Sequence, residues 1–234
     1  MGLFSKRRFT SAVIVAAGAS RRMGQDKMFM ELAGEPVILH TLRIFEASPV
    51  VSEIIAVCRE EDTERLAQLA VKGGITKLTH IVAGGESRPV SVYNGLCAVS
   101  RKATVVAVHD GARPLVTQKI INEAVLRAMR FHAAAPAMPV KATVKEAKNG
   151  VVISTPERAS LFEAQTPQVF DVDLLRGALV AAIASGRELT DDCSAVEALG
   201  ATVHLTEGSY ENIKITTPED ITIAEAILAK RIKE

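Results

Sequence analysis

The 234-residue chain carries 28 Lys and Arg against 27 Asp and Glu, a net charge of +1. It thus has no electrostatic footprint for duplex nucleic acid, and any anion site must be built locally from a few basic residues. Hydrophobic residues at 48% and charged residues at 24% are the balance of an ordinary globular protein, long enough to bury a substantial core in one domain. Cys58, Cys97 and Cys193 form no Cys-x-x-Cys pair, which argues against a zinc knuckle or a disulfide framework. They read as small buried hydrophobes in a reducing cytosol. No apolar stretch is long enough to span a bilayer. Residues 1–8 lack the Ser or Thr that myristoylation requires where Lys6 stands, and the apolar run 12–17 is too short for a secretory core. The expected compartment is the cytoplasm.

In chain order, buried strands are expected at 12–15, 54–57, 80–82 and 104–108, all continuous β-branched runs. Such runs suit a parallel sheet covered on both faces. Helices are expected between them at 36–46, opening on Pro36, at 60–72, stopping at Gly73-Gly74, at 87–100 and at 117–132. Alternating strands and helices imply βαβ units with right-handed crossovers. After Pro139 the rhythm breaks. Thr143-Val144, Asn149-Gly150 and Val151-Val152-Ile153 read as a β-hairpin arm over about 141–160. Helices resume at 171–185 and 191–199, a short strand follows at 202–205, and a last helix spans about 218–230. Without repeats or linkers, one domain (1–234) with an arm is the simplest organisation.

The first candidate site follows the first strand: Ala16-Ala17-Gly18-Ala19-Ser20-Arg21-Arg22-Met23-Gly24, then Lys27. Ligands of an open α/β sheet sit beyond the carboxyl ends of its strands. Small residues let the backbone approach a phosphate chain, and Arg22 and Lys27 add charge. The spacing is neither that of a P-loop nor that of a dinucleotide fingerprint, which has Gly where Ser20 stands. The bland alternative is a glycine turn with solvated arginines.

Ala-Ala-Gly-x-x-x-Arg-Met followed by Lys resembles the signature loop of nucleotidyltransferases that activate sugars and related alcohols. Ser20 and 23–27 read partly like the branch that transfers nucleotides to molybdopterin. The methylerythritol phosphate branch usually has Gly at position 20 and Pro-Lys-Gln-aromatic where this chain has Asp26-Lys27-Met28-Phe29. Four later blocks point to one subfamily. They are His109-Asp110-Gly111-Ala112-Arg113-Pro114, Gln165-Thr166-Pro167-Gln168, Thr190-Asp191-Asp192 with Ser194-Ala195, and Asn212-Ile213-Lys214 followed by Thr216-Thr217-Pro218-Glu219-Asp220. In this order they resemble the 2-C-methyl-D-erythritol 4-phosphate cytidylyltransferase family over roughly residues 10–230.

Each block also has a plain structural reading. Asp110 caps a turn at a strand end, and Arg113 braces the loop. Thr190 serves as N-cap before acids that the helix dipole favours, and Thr217-Pro218 starts the last helix. Lys214 interrupts the apolar run Ile213-Lys214-Ile215, read as a strand, and alternation points it away from both neighbours. His40, His80, His132 and His204 stand singly, without metal-ligand spacing.

The resemblance implies a Rossmann-like, mostly parallel α/β sheet flanked by helices, with a projecting hairpin arm. It also implies attack of an acceptor phosphate on the α-phosphorus of CTP, with Mg²⁺ carried mainly on the phosphates and Asp110 near enough to help orient metal, ribose or substrate. Arg22, Lys27, Arg158 and Lys214 are its catalytic residues. Ala16, Ala17, Gly18, Ser20, Gly84, Gly85, Glu86 and Ser91 bind the nucleotide. Asp110, Arg113, Thr143, Thr166 and Thr190 hold the polyol phosphate. In a homodimer, Thr143 and Arg158 would reach the neighbour's site. Ribitol 5-phosphate is the alternative acceptor, and a catalytically inactive nucleotide-binding protein of the same fold is a second alternative.

Overall fold

The structure, a computed structural model, describes residues 9–18 and 27–233. The first strand, β1 (Phe9–Val15), runs parallel to β4 (Glu53–Cys58) on one side and to β6 (Ala103–Asp110) on the other. Between β1 and β4 lie a two-residue hairpin, β2 (Glu31–Leu32) with β3 (Glu35–Pro36), and helix α1 (Val37–Glu46). A 3-10 turn at Glu60–Asp62 leads into α2 (Thr63–Lys72), then β5 (Leu78–Ala83), α3 (Arg88–Cys97), β6 and α4 (Gln118–Phe131). The expected strands and helices of this half are all present, with ends moved by a few residues, as terminal caps and frayed turns allow; β5, expected to be buried, is half-buried to exposed because it lies at the sheet edge.

The second half is denser in strands than its sequence suggests. β7 (Ala133–Pro139), β10 (Phe162–Ala164) and β11 (Gln168–Asp171) join the sheet antiparallel, and β12 (His204–Glu207) pairs with β7 in parallel. The strand order is β10-β7-β11-β6-β1-β4-β5, with β12 on β7. β7 reads Ala-Ala-Ala-Pro-Ala-Met-Pro and carries no β-branched signal. Its pairing with three other strands makes it a strand, a tertiary effect that overrides propensity. The expected strand at 213–215 is instead an irregular extended segment, held by Ile215 N–H donating to the Ala112 carbonyl at 2.8 Å.

Side-chain alternation divides the core between the two faces of the sheet. On one face Ala12 and Ile14 pack with Leu42, Phe45, Ile54, Leu115 and Ile121. On the other Val13 packs with Ile55, Leu96, Phe170 and Leu175. The second face is covered by α3, by α5 (Val172–Ser185) and by α6 (Asp192–Ala198), and α7 (Pro218–Lys233) closes the chain. Each of the Val, Leu, Ile and Phe side chains named contributes about 1.5–3 kcal/mol by leaving water.

The arm is a hairpin of β8 (Glu146–Lys148) and β9 (Val151–Ser154). Asn149 and Gly150 both take positive φ, 52° and 79°, the requirement of a tight two-residue turn. Thr143 and Val144 lie before the first arm strand rather than in it. Val151, Val152 and Ile153 are 69%, 55% and 60% exposed. Cys58 and Cys193 are buried as expected, whereas Cys97, in the last turn of α3, is exposed. Burial raises the thiol pKa of Cys58 and of Cys193. No helix among the described residues is long and apolar enough to cross a membrane.

Candidate active site

β1 is the point at which the strand order reverses. The chain proceeds from it to β4 and β5 on one side and returns to β6 on the other, and a crevice at the carboxyl ends is the consequence. A cleft of about 330 Å³ occupies that position. Its wall includes Ala17, Gly18 and Lys27 from the loop after β1, Gly85 and Glu86 from the loop after β5, and Arg88 and Ser91 from α3. Asp110 at the end of β6 and Lys214 close it. A larger groove of about 890 Å³ lies between α4 and the β10–β7–β12 edge, and shares no lining residue with this cleft.

The loop after β5 is built for close approach. A Cβ on Gly84 would collide with Cβ of Ala17 and one on Gly85 with Val90, so side-chain-free backbone is required at both positions. The Ser91 hydroxyl accepts the Gly85 N–H at 3.0 Å and donates to the Ser87 carbonyl at 3.0 Å. It thereby folds the loop onto the N-terminus of α3, where Ser87 is the N-cap. Ala16 lies beneath the cleft, with its N–H on the Val57 carbonyl at 2.6 Å.

Asp110 is the electrostatic centre. Its carboxylate meets Lys214 Nζ at 2.9 Å, Arg88 Nη2 at 3.5 Å and Arg113 Nε at 3.6 Å. Burial alone would raise its pKa, but Lys214, Arg88 and Arg113 outweigh it and hold the carboxyl well below the usual range. The arrangement draws three cations around one buried anion, with Arg88 and Lys214 lining the cleft and Arg113 behind it.

Those cations are held from behind. Arg113 donates through Nη1 to the Asn212 carbonyl at 2.7 Å. Asn212, fully buried, donates through Nδ2 to Gln165 Oε1 and to the Thr166 carbonyl, each at 3.1 Å. With the Ile215 N–H fixed on the Ala112 carbonyl, Ile215 is buried while Lys214 is exposed and lines the cleft. Gln168 Oε1 accepts the N–H groups of Asp192 and Cys193 at 2.9 and 3.1 Å, and its amide donates to Asp191 Oδ2 at 2.6 Å. Gln168 thus ties β11 to the start of α6.

The helix cap differs from expectation. Asp191 is the N-cap, in a capping box with Ser194, and Thr190 is an exposed residue just before it. The Asp191 carboxylate, one position later, accepts the Ser194 N–H at 2.9 Å and interacts with the helix dipole, while Gln168 takes the two N–H groups before it.

The fold brings Ala17, Gly18, Lys27, Gly85, Glu86, Ser91, Asp110 and Lys214 to one cleft, with Ala16, Gly84 and Arg113 directly behind. Thr166 is buried next to Asp110, its hydroxyl accepting the Asp110 N–H at 3.2 Å. Thr143 and Arg158 stand on the exposed arm, where Arg158 Nη1 donates to the Lys141 carbonyl at 3.2 Å. Ser20 and Arg22 lie outside the described residues. Sequence reasoning missed Arg88, which pairs with Asp110 and also with Asp192 at 2.8 Å, a carboxylate only 1% exposed. A signal was available, because a cation in the first turn of a helix opposes the dipole and calls for acidic partners.

An open α/β sheet with glycine-containing loops after β1 and β5, a cation-ringed carboxylate and a cleft at the strand-order reversal fits a nucleotidyltransferase-type enzyme. The IspD, 2-C-methyl-D-erythritol 4-phosphate cytidylyltransferase, family model matches residues 10–230, and the chain belongs to that family. A 2-C-methyl-D-erythritol 4-phosphate cytidylyltransferase of Alkaliphilus oremlandii is 44% identical over 95% of this chain and 96% of its own. One of Pelotomaculum thermopropionicum is 46% identical over 94% of each. The crystal structure of the 4-diphosphocytidyl-2C-methyl-D-erythritol synthase of Anaerococcus prevotii superposes with a TM-score of 0.86 at 32% identity, covering 95% of this chain and 97% of the other.

Proposed function

We propose that the protein transfers a cytidylyl group from CTP to 2-C-methyl-D-erythritol 4-phosphate. A phosphate oxygen of the acceptor attacks the α-phosphorus of CTP, the new P–O–P linkage forms, and the bond to the β-phosphate oxygen breaks to release pyrophosphate. The acceptor oxygen is already anionic near neutral pH, so no base is needed, and catalysis consists of positioning and charge neutralisation. The observation that carries the reading is the Asp110 cluster, three cations about one carboxylate, facing Lys27 and the glycine loops across one cleft in a chain of this family.

In this reading Ala16, Ala17, Gly18 and Ser20 follow the triphosphate, with Arg22 and Lys27 neutralising charge at the α-phosphorus. Gly84, Gly85, Glu86 and Ser91 frame the cytosine. Backbone groups there accept from its amino group and disfavour the uracil carbonyl by leaving partners unpaired. Asp110, Arg113, Thr166, Thr190 and Lys214 set the acceptor, with Thr143 and Arg158 supplied by the 141–160 arm of a second copy in a homodimer. The exposed apolar residues of the arm support that assembly, since a two-stranded hairpin is marginal alone in water.

The donor set suits Mg²⁺ carried largely by nucleotide oxygens and water. No cluster of three or more His, Cys, Asp or Glu side chains with metal-ligand geometry occurs among the described residues, and the cleft carboxylates are Asp110 and Glu86. Bound there, Mg²⁺ would supply charge neutralisation across the phosphates. The deciding experiment is pyrophosphate release with each of the four nucleotides against a panel of acceptors. CTP with methylerythritol phosphate should be fastest. Faster turnover with ribitol 5-phosphate, or with GTP and a pterin, would overturn the acceptor assignment, and no turnover with any pair would favour a nucleotide-binding protein.

A further inference from the structure

We propose that His109 is a positioning residue for the acceptor side of the cleft. It locks the 110–113 turn from beneath through two oriented hydrogen bonds, and so sets where the Asp110 carboxylate and the Arg113 guanidinium stand. The proposal rests on the cytidylyl-transfer reading above and assigns a role to a buried side chain that the reading leaves unused.

His109 precedes Asp110 on β6, so alternation points it to the opposite face. There it is fully buried, with its ring 4.9 Å from that of Phe45. Nε2 lies 3.2 Å from the Arg113 carbonyl and Nδ1 lies 2.9 Å from Thr166 Oγ1. A carbonyl only accepts, so Nε2 bears the proton and Nδ1 presents its lone pair. The Thr166 hydroxyl must then donate to Nδ1, while its oxygen accepts the Asp110 N–H at 3.2 Å. The result is a chain of fixed direction from Asp110 N–H through Thr166 and His109 to the Arg113 carbonyl.

That chain grips both ends of one turn, which is itself closed by Arg113 N–H donating to the Asp110 carbonyl at 3.0 Å. Gly111 leaves no slack inside it, since a Cβ there would stand 2.9 Å from Ile38 and 3.2 Å from the Val15 carbonyl. The two partners fix one ring proton, on Nε2 toward the Arg113 carbonyl, and leave Nδ1 to accept from Thr166. The Thr166 hydroxyl proton is committed within the protein, so Thr166 acts on the acceptor through the position of Asp110.

Among the described residues, the loops after β1 and β5 that would frame CTP take no part in this chain. Loosening the 110–113 turn therefore affects the acceptor selectively, and a misplacement on the order of 1 Å costs up to 10²-fold. His109→Leu should raise KM for methylerythritol phosphate roughly 10-fold or more per folded molecule, with KM for CTP within about 2-fold. His109→Gln, whose terminal amide N–H can reach the Arg113 carbonyl, should recover most of that loss. Normal acceptor KM in folded His109→Leu, or equal defects in the Leu and Gln variants, would overturn the proposal.

Should the variants fail to fold, ¹⁵N NMR of histidine-labelled wild-type protein provides an independent test. The His109 ring should show a proton on Nε2 and none on Nδ1 from about pH 5.5 to 8, and a proton on Nδ1 would overturn the proposal. The spectrum needs no turnover. A wild-type protein inactive with methylerythritol phosphate would remove the substrate reading while leaving the hydrogen-bond chain standing or falling on its own.

Discussion

Lys214 Nζ stands 2.9 Å from Asp110 Oδ2, although the two residues are more than a hundred positions apart. The ammonium is partly exposed on the cleft side, while the carboxylate is buried and also faces Arg88 and Arg113. Lys214 is thus held in place by an anion that two other cations also balance.

Replacing Lys214 by Met should leave the fold intact, because Asp110 keeps two cationic neighbours. Turnover should fall by roughly 10²-fold, the scale of losing one electrostatic stabiliser of a transition state. Pyrophosphate release alongside a thermal melt checks both halves, and near-normal turnover would remove Lys214 from the catalytic set.

Lys27→Ala should also cost roughly 10²-fold in turnover with little change in stability, since Lys27 lies on a loop at the mouth of the cleft. Retained activity would mean that another cation of the 19–27 segment neutralises the α-phosphorus.

Arg88 should matter to stability as well as to the site. It is the partner of buried Asp192 at 2.8 Å. Arg88→Met strands that carboxylate and should cost about 3 kcal/mol in a urea titration. Adding Asp192→Asn removes the stranded charge and should recover much of the loss. An unaltered midpoint in the single variant would show that the pair contributes nothing.

Stability should fall as acid is added, with His109 as one cause. Its folded pKa of about 4 lies below the ordinary value, so between about pH 6.5 and 4 the unfolded chain binds a proton that the folded chain refuses. The associated stabilisation is fully present above that window and lost on descending through it, by roughly 3 kcal/mol in all. Urea midpoints measured from pH 7 to 4.5 should drop less in His109→Gln than in wild type, and parallel slopes would contradict the assignment.

The shared-site dimer predicts complementation. Lys27→Ala and Arg158→Ala chains, each inactive alone, should recover about a quarter of wild-type activity when unfolded and refolded together, because about half the dimers are mixed and each has one intact site. No recovery, or a monomer by light scattering, would place both residues in one chain's own site or none.

What the sequence determined by itself lies mostly in the first half and in short-range chemistry. Continuous β-branched runs such as 54–57 read as strands, although whether a run is buried depends on its place, since β5 ends up at the exposed sheet edge. Asn149-Gly150 made the hairpin turn because that pair tolerates positive φ. The ordered blocks from His109 to Asp220 carried the family. Tertiary structure decided the rest. β7, alanine and proline with no intrinsic strand preference, is a strand because β10, β11 and β12 supply its hydrogen bonds. Asp191 rather than Thr190 caps α6, within reach of the Gln168 amide from β11. Arg88, Asp110 and Lys214 meet only because the strand order reverses at β1 and the 212–215 segment hangs from Ala112. Periodicity reports how a segment meets water, whereas the electrostatics of this cleft depend on distances between segments, which folding alone sets.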